Sequence, residues 1–325
     1  MVPENSDILL EIRSLAKDSA PNLEIVAKST YNDTMRTNTK CELLSRDEKF
    51  TTVIRSDTGI FDIHFSELFR YWDLVIMLFR RNIMLQYKQT ALGMMWLFLY
   101  PVLTSFIFTF VFGNLAGFST DGIPAFLFYL ASNSLWWVFA NCLSNVARTY
   151  QSDGDLFKKV YFPRLAPPLG HMLTGLFSFA IRMAMILVVF IVVMLVSGGI
   201  RITWKWLLLP LPVIQAGILG LSCGIIITSM TAKYRDMALV ADFGVQLLMY
   251  ATPVIYTFSS MKGFIRVILL CNPMTAIMEN FRYFLFDAGQ PMVGAGIVSW
   301  IMTIILAVFG TLYYSNVCKN CIDTI

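Results

Sequence analysis

Gly122-Ile-Pro-Ala-Phe-Leu-Phe-Tyr-Leu-Ala-Ser-Asn-Ser-Leu-Trp-Trp-Val-Phe-Ala-Asn-Cys-Leu-Ser-Asn-Val-Ala147 runs from Asp121 to Arg148 without one charged side chain. A helix needs about 20 apolar residues to cross a hydrocarbon core about 30 Å thick. Inside that core no water answers the backbone N–H and C=O groups, so they must bond within the segment, and such a run reads as a transmembrane helix. Comparable runs recur, and the sequence predicts six spans at about 92–113, 124–147, 168–196, 206–230, 237–256 and 292–314. The fold class is therefore all-α integral membrane.

Composition supports the same reading. The chain is 57% hydrophobic and 14% charged, whereas soluble domains carry about 25% charged residues. Its net charge of +4 is unevenly spread. Residues 1–64 hold 8 Lys/Arg against 11 Asp/Glu, and residues 65–325 hold 17 against 10. A basic membrane domain fits cytoplasmic loops facing anionic headgroups rather than a nucleic-acid partner. Residues 1–60 are polar and lack the apolar core of an export signal, so a mobile cytoplasmic tail is expected there. Within it, Ile8, Leu9, Ile12 and Leu15 would share one side of a short helix.

The Lys/Arg distribution orients the spans. Arg80, Arg81 and Lys88 precede span one; Arg148, Lys158, Lys159 and Arg164 lie between two and three; Lys233 and Arg235 lie between four and five. The other side has no Lys/Arg between spans one and two, and Arg201 and Lys205 between three and four. Lys262, Arg266 and Arg282, between five and six, run mildly against the bias. The positive-inside rule then puts both termini, including the 316–325 tail, in the cytoplasm.

Two segments are neither spans nor free loops. Over 65–90, Ser66, Arg70, Asp73, Arg80, Arg81 and Lys88 recur opposite Leu68, Trp72, Val75, Phe79 and Ile83. That pattern suits an amphipathic helix in the membrane interface. Between spans five and six, Met261–Leu270 reads as one short helix. Asn272 then reads as an N-cap with Pro273 in the first helical position, ahead of an apolar face of Met274, Ile277, Met278, Phe281 and Leu285. Two short re-entrant helices of this kind need protein or a water-filled cavity around them.

Catalytic equipment is sparse. His64 and His171 are far apart, HExxH is absent, and no Gly-Lys-Ser/Thr forms a nucleotide-binding loop. Asp153-Gly154-Asp155 resembles the DxD of glycosyltransferases, but no α/β domain accompanies it. The six cysteines imply no disulfide framework, and Cys318 with Cys321 makes a lone CxxC where a zinc site needs four ligands. No catalytic residue, metal site or cofactor is expected in this chain. Between Asp153 and Arg164, Leu156, Phe157, Val160 and Tyr161 stand among basic residues. This pattern fits either a short helix docking in a groove of a soluble subunit or an interfacial loop with snorkelling lysines.

The ordered set Tyr87-Lys-Gln-Thr-Ala-Leu-Gly-Met-Met-Trp96, Pro101, Phe157-Lys-Lys-Val-Tyr-Phe-Pro-Arg164, Tyr234-Arg-Asp236, Pro253-Val-Ile-Tyr256 and Asn272-Pro273 resembles type-2 ABC export permeases of cell-surface polysaccharides. That family includes O-antigen, capsule and teichoic-acid exporters, and the resemblance covers about 65–315. It implies a permease subunit of a homodimeric channel in a bacterial inner (plasma) membrane. Two copies of a separate cytoplasmic ATPase would bind ATP and Mg, and a lipid-linked polysaccharide would be the cargo. It further implies an interface helix at 65–90, a coupling helix at about 153–163 and outer gate helices at 258–288. The coupling residues would be Asp155, Leu156, Phe157, Lys158, Lys159, Val160, Tyr161, Phe162, Pro163 and Arg164, and the gate residues Met261, Phe264, Asn272, Pro273, Met278 and Phe281.

The chain departs from the family at Asn82 and Gln86, where an acidic and a basic residue are usual, and Arg182 in span three has no expected counterpart. A charge at that depth is functional, snorkelling or paired between subunits. Trp96 and Tyr100 share one face of span one, and Phe243 and Tyr250, with Asp242 and Gln246, one face of span five. Such faces suit a conduit on which sugar rings slide over aromatic planes, or equally interfacial belts and bundle packing. An ion-driven flippase would need acids at mid-depth, and a membrane transferase a base or metal cluster. An exporter of a small molecule or drug, built on the same permease plan, is the competing reading.

Overall fold

The computed structural model describes residues 69–87, 93–153, 163–197, 203–231, 233–234, 236–289 and 291–321. Nine helices longer than one or two turns organise them: α1 Trp72–Tyr87, α2 Trp96–Phe108, α3 Ala125–Ala147, α4 Ala166–Ser197, α5 Pro210–Thr231, α6 Met237–Tyr250, α7 Phe264–Cys271, α8 Pro273–Phe286 and α9 Val293–Cys321. Five runs are long and apolar enough to cross a membrane: 96–115, 125–147, 166–196, 204–231 and 293–317. The bent pair α7–α8 makes a sixth only if it is one broken span.

α3 is the axis of the bundle. It packs against α5, α4 and α2, and α5 in turn packs against α9. Leu127, Phe128, Leu130, Leu135, Val138 and Val146 have no exposure. The close approach of α5 to α3 is set by glycines, as small-residue crossings in membranes require. A Cβ on Gly220 would lie 2.8 Å from the Phe139 carbonyl oxygen, and one on Gly224 2.7 Å from Val146 Cβ. On the far side of α5, a Cβ on Gly310 of α9 would lie 3.0 Å from the Ser222 carbonyl oxygen.

Polar side chains complete what glycine packing begins. The last carbonyls of a helix lack internal partners. At the end of α3, Thr228 and Thr149 donate to the Val146 carbonyl and Thr231 donates to that of Ala147. Asn133 of α3 donates to Thr104 Oγ1 of α2 at 2.8 Å. Gln215 of α5 donates to Ser299 of α9 at 2.9 Å, and that serine donates to the Pro273 carbonyl at 2.8 Å.

Several boundaries differ from those the sequence predicts. The helix expected over 237–256 ends at Tyr250. Pro253 has no N–H and disfavours the helical region for Thr252 before it, so residues 251–256 form turns instead. The first span keeps helical bonding through Pro101 but widens into a π-helix over Thr109–Leu115. The short helix expected over 261–270 starts at Phe264, after Gly263 with φ of +63°. The next follows expectation closely: Asn272 accepts the Met274 N–H at 3.0 Å as N-cap of α8, and Pro273 opens the helix.

Candidate functional site

The residues singled out from sequence fall into four places. Trp96 and Tyr100 on α2, and Phe243 and Tyr250 on α6, are 47%, 51%, 62% and 65% exposed within the subunit, and Gln246 is exposed beside them. α2 turns Leu97, Pro101 and Ser105 inward, and α6 turns Ala238, Ala241 and Val245 inward. Both helices lean on α3 and present their aromatic faces away from the core. Asp242 pairs with Arg148 at the end of α3, which fixes the first half of α6.

The 258–288 region divides. Met278 and Phe281 have no exposure and belong to the core, whereas Phe264 is 78% exposed on α7, which meets α8 at 90°. Glu279 and Arg282 stand beside the apolar face in the sequence but are buried. They pair with each other, the Phe258 N–H donates to Glu279 at 2.9 Å, and the Arg282 guanidinium lies 4.6 Å from the Phe128 ring. α8 is thereby tied to α3 and to the 251–260 turn. Asn272 and Pro273 also line an open apolar cleft of about 400 Å³ between α3, α5, α6 and α9, with Leu219, Leu248 and Leu306 on its walls. None of the five conduit candidates lines it.

Of the expected docking residues, 155–162 lie outside the described residues. Pro163 and Arg164 are half-buried where α4 begins, and Tyr314 of α9 donates to the Arg164 carbonyl at 3.2 Å. Just before that segment, Asp153 has a fully buried side chain. It ion-pairs with Arg81 of α1, and its second oxygen faces His171 Nε2 of α4 at 3.1 Å. Burial alone pushes the Asp153 carboxyl up. The hydrogen bonds from His171 and Arg81, with the Arg81 charge, outweigh this and hold it below the ordinary 3.8. Both oxygens of this aspartate are thus engaged, and Asp155, the other acid of the DxD, lies outside the described residues. α1 itself packs on α4 through Val75 and Leu78, against Ala166 and Leu169, and leaves Trp72 partly exposed.

Arg182, at mid-length of α4, is 2% exposed and stacks on Trp137 of α3 at 3.8 Å. Sequence reasoning missed three groups: the Asp153 cluster, the Glu279–Arg282 pair as a buried contact, and the α5 glycines. The Asp153 cluster leaves no local signal, whereas Glu279 and Arg282 stand three apart on one helix and the glycines recur as Gly217, Gly220 and Gly224.

Residues 73–286 match the family model described as ABC-2 type transporter. The chain is also similar to three proteins named O-antigen export system permease protein RfbA. One, from Myxococcus xanthus, is 26% identical over 228 residues, covering 69% of this chain and 85% of that protein. A second, from Klebsiella pneumoniae, is 25% identical over 252 residues, covering 75% and 93%. A third, also from Klebsiella pneumoniae, is 24% identical over 213 residues, covering 65% and 79%.

Proposed function

The chain belongs to the ABC-2 type transporter family, and on that premise we propose that it is the permease of an exporter of a lipid-linked, O-antigen-like cell-surface polysaccharide. The observation that carries the reading is the similarity to permeases named for O-antigen export, which extends over most of their length. In this reading α1 is the interface helix, six spans cross a bacterial inner membrane with both termini in the cytoplasm, and α7 and α8 are the outer gate. A second copy of the chain closes a channel against the aromatic faces of α2 and α6. Those faces are left unpacked within one subunit, as surfaces meant for a partner or a cargo are.

Energy comes from outside the chain, since the sequence has no nucleotide-binding loop. Two copies of a cytoplasmic ATPase, holding ATP and Mg, dock on the segment from Asp155 to Arg164. Its Leu156, Phe157, Val160 and Tyr161 supply the apolar contact and its lysines the charge. Trp96, Tyr100, Phe243 and Tyr250 offer sugar rings an aromatic track, with Gln246 as a hydrogen-bonding partner.

Affinity purification of the tagged chain from its own cells, with deletion of its gene in parallel, tests this. The expected result is co-purification of an ATPase subunit and accumulation of lipid-linked glycan on the cytoplasmic face. An ATPase partner with surface glycan intact and drug resistance lost would replace the polysaccharide by a small molecule.

A further inference from the structure

Among the polar contacts of the described residues, four side chains from three elements close on themselves. Arg81 pairs with Asp153; Asp153 faces His171 Nε2 at 3.1 Å; His171 Nδ1 faces Asn82 Nδ2 at 3.3 Å; and Asn82 Oδ1 accepts from Arg81 at 3.2 Å. Arg81 and Asn82 belong to α1, His171 to α4, and Asp153 to the chain leaving α3 after the turn Thr149–Ser152. Three elements far apart in sequence are thus joined by one ring of four side chains.

The chemistry of the four groups fixes the ring's direction. Arginine only donates, so the Asn82 atom facing Arg81 must be its oxygen, and the atom facing His171 must be its NH₂. His171 Nδ1 therefore accepts, its hydrogen resides on Nε2, and that hydrogen points at Asp153 Oδ2. Asp153 closes the ring as acceptor from both Arg81 and His171, takes a further hydrogen bond from Ser152 Oγ at 3.3 Å, and has no solvent contact. A buried carboxylate that loses Arg81 is left without its counter-charge, and one that loses His171 is left with an unanswered oxygen lone pair.

We propose that Asp153 is a positioning residue for energy coupling: it clasps α1 and α4 to the chain leaving α3, so that the three move as one body when the ATPase cycles. The inference rests on the ATPase-driven export proposed above. It adds the route by which a push at the cytoplasmic surface reaches the span that carries His171 and Arg182. The site lies where such a push would be delivered, since Asp153 stands two positions before Asp155, where the expected docking segment begins.

Two measurements test it. In the purified full-length chain in nanodiscs, Asp153→Asn keeps the shape but turns an NH₂ toward either Arg81 or His171. Amide hydrogen exchange across α1 is expected to rise about tenfold, with α5 and α9 unchanged. Unchanged exchange in α1 overturns the proposal whatever the chain transports. In the complex with the ATPase subunit from the same cells, Asp153→Asn is expected to lower glycan exported per ATP hydrolysed about tenfold, within the range of ordinary site-to-site coupling. A Cβ on Gly170 would lie 3.2 Å from Leu78 Cβ, close to the spacing a disulfide needs. Adding Leu78→Cys and Gly170→Cys to the Asp153→Asn complex should restore the ratio when oxidised and lose it again on reduction. Loss without rescue by the cross-link overturns the clasp. A wild-type complex that hydrolyses ATP but exports no glycan counts against the proposed cargo and leaves the exchange experiment to decide the clasp.

Discussion

Charge in a low-dielectric setting survives only where it is answered, and Asp153 and Arg182 are answered in different ways. Asp153 has a guanidinium and an imidazole; Arg182 has the face of Trp137 at 3.8 Å, and a cation over an indole ring is a favourable arrangement. For Asp153 the folded-state pKa lies below the ordinary 3.8. Its contribution to stability is therefore complete above pH 3.8 and is lost as pH falls through the lower folded value. Thermal unfolding followed between pH 6 and pH 3 should show a drop in midpoint below pH 3.8 that Asp153→Asn lacks; the same drop in the variant would assign the acid step to another carboxylate. None of this was legible locally. Arg81 and Asp153 are 72 positions apart, and His171 and Asp153 are 18 apart. No periodicity within a helix announces a partner on another.

Helices, by contrast, carry much of their own description. Asn272-Pro273 specifies the start of α8 through an oxygen that accepts an N–H and a ring that needs none, and the apolar positions behind it all turn inward. The early end of α6 was equally written at Pro253, but apolar residues running on to Tyr256 masked it. The glycines of α5 were visible as glycines yet meaningless until α3 lay against them. Gly224→Ala should cost about 1–3 kcal/mol of stability, because its methyl group meets Val146 and the Leu143 carbonyl in a packed seam. Gly244→Ala on α6 is the matched control. A Cβ there meets nothing within 4 Å, and the change should be neutral or slightly stabilising through helix propensity. Melting of the two variants in detergent checks both; equal midpoints would mean that the α3–α5 seam yields more readily than its geometry implies.

For the whole molecule, five of the six expected spans were legible because bilayer thickness imposes a length on every segment. The span expected over 237–256 is only a 14-residue helix, and the use of the outward faces was not legible. Spacing puts Trp96 with Tyr100 and Phe243 with Tyr250, but lipid, a second copy and a passing sugar all welcome aromatic rings. Their exposure separates the cost of removing them from the consequence. Replacing Trp96, Tyr100 or Tyr250 with Ala opens no core cavity within the subunit, so the folded yield should hold while export per folded protein falls; Phe should be mild because the ring face persists. Normal export per folded protein in all three Ala variants would return these side chains to the lipid. The burial of α3 has a different kind of consequence, in the order of manufacture. Its span is 78% buried, against 17–22% for the spans at 96–115, 166–196 and 293–317, and it carries Ser132, Asn133, Ser134 and Asn141. Yet α3 is made second among the spans, and α5, the helix that packs most extensively on it, is synthesised later. For that interval the face that Gly220 and Gly224 will cover, and the Val146 and Ala147 carbonyls that Thr228 and Thr231 will answer, stand open. Nascent chains arrested after Ser197 should therefore be degraded several-fold faster than chains arrested after Thr231, as pulse-chase would show. The least apolar of the long spans depends on a helix that the ribosome has yet to make.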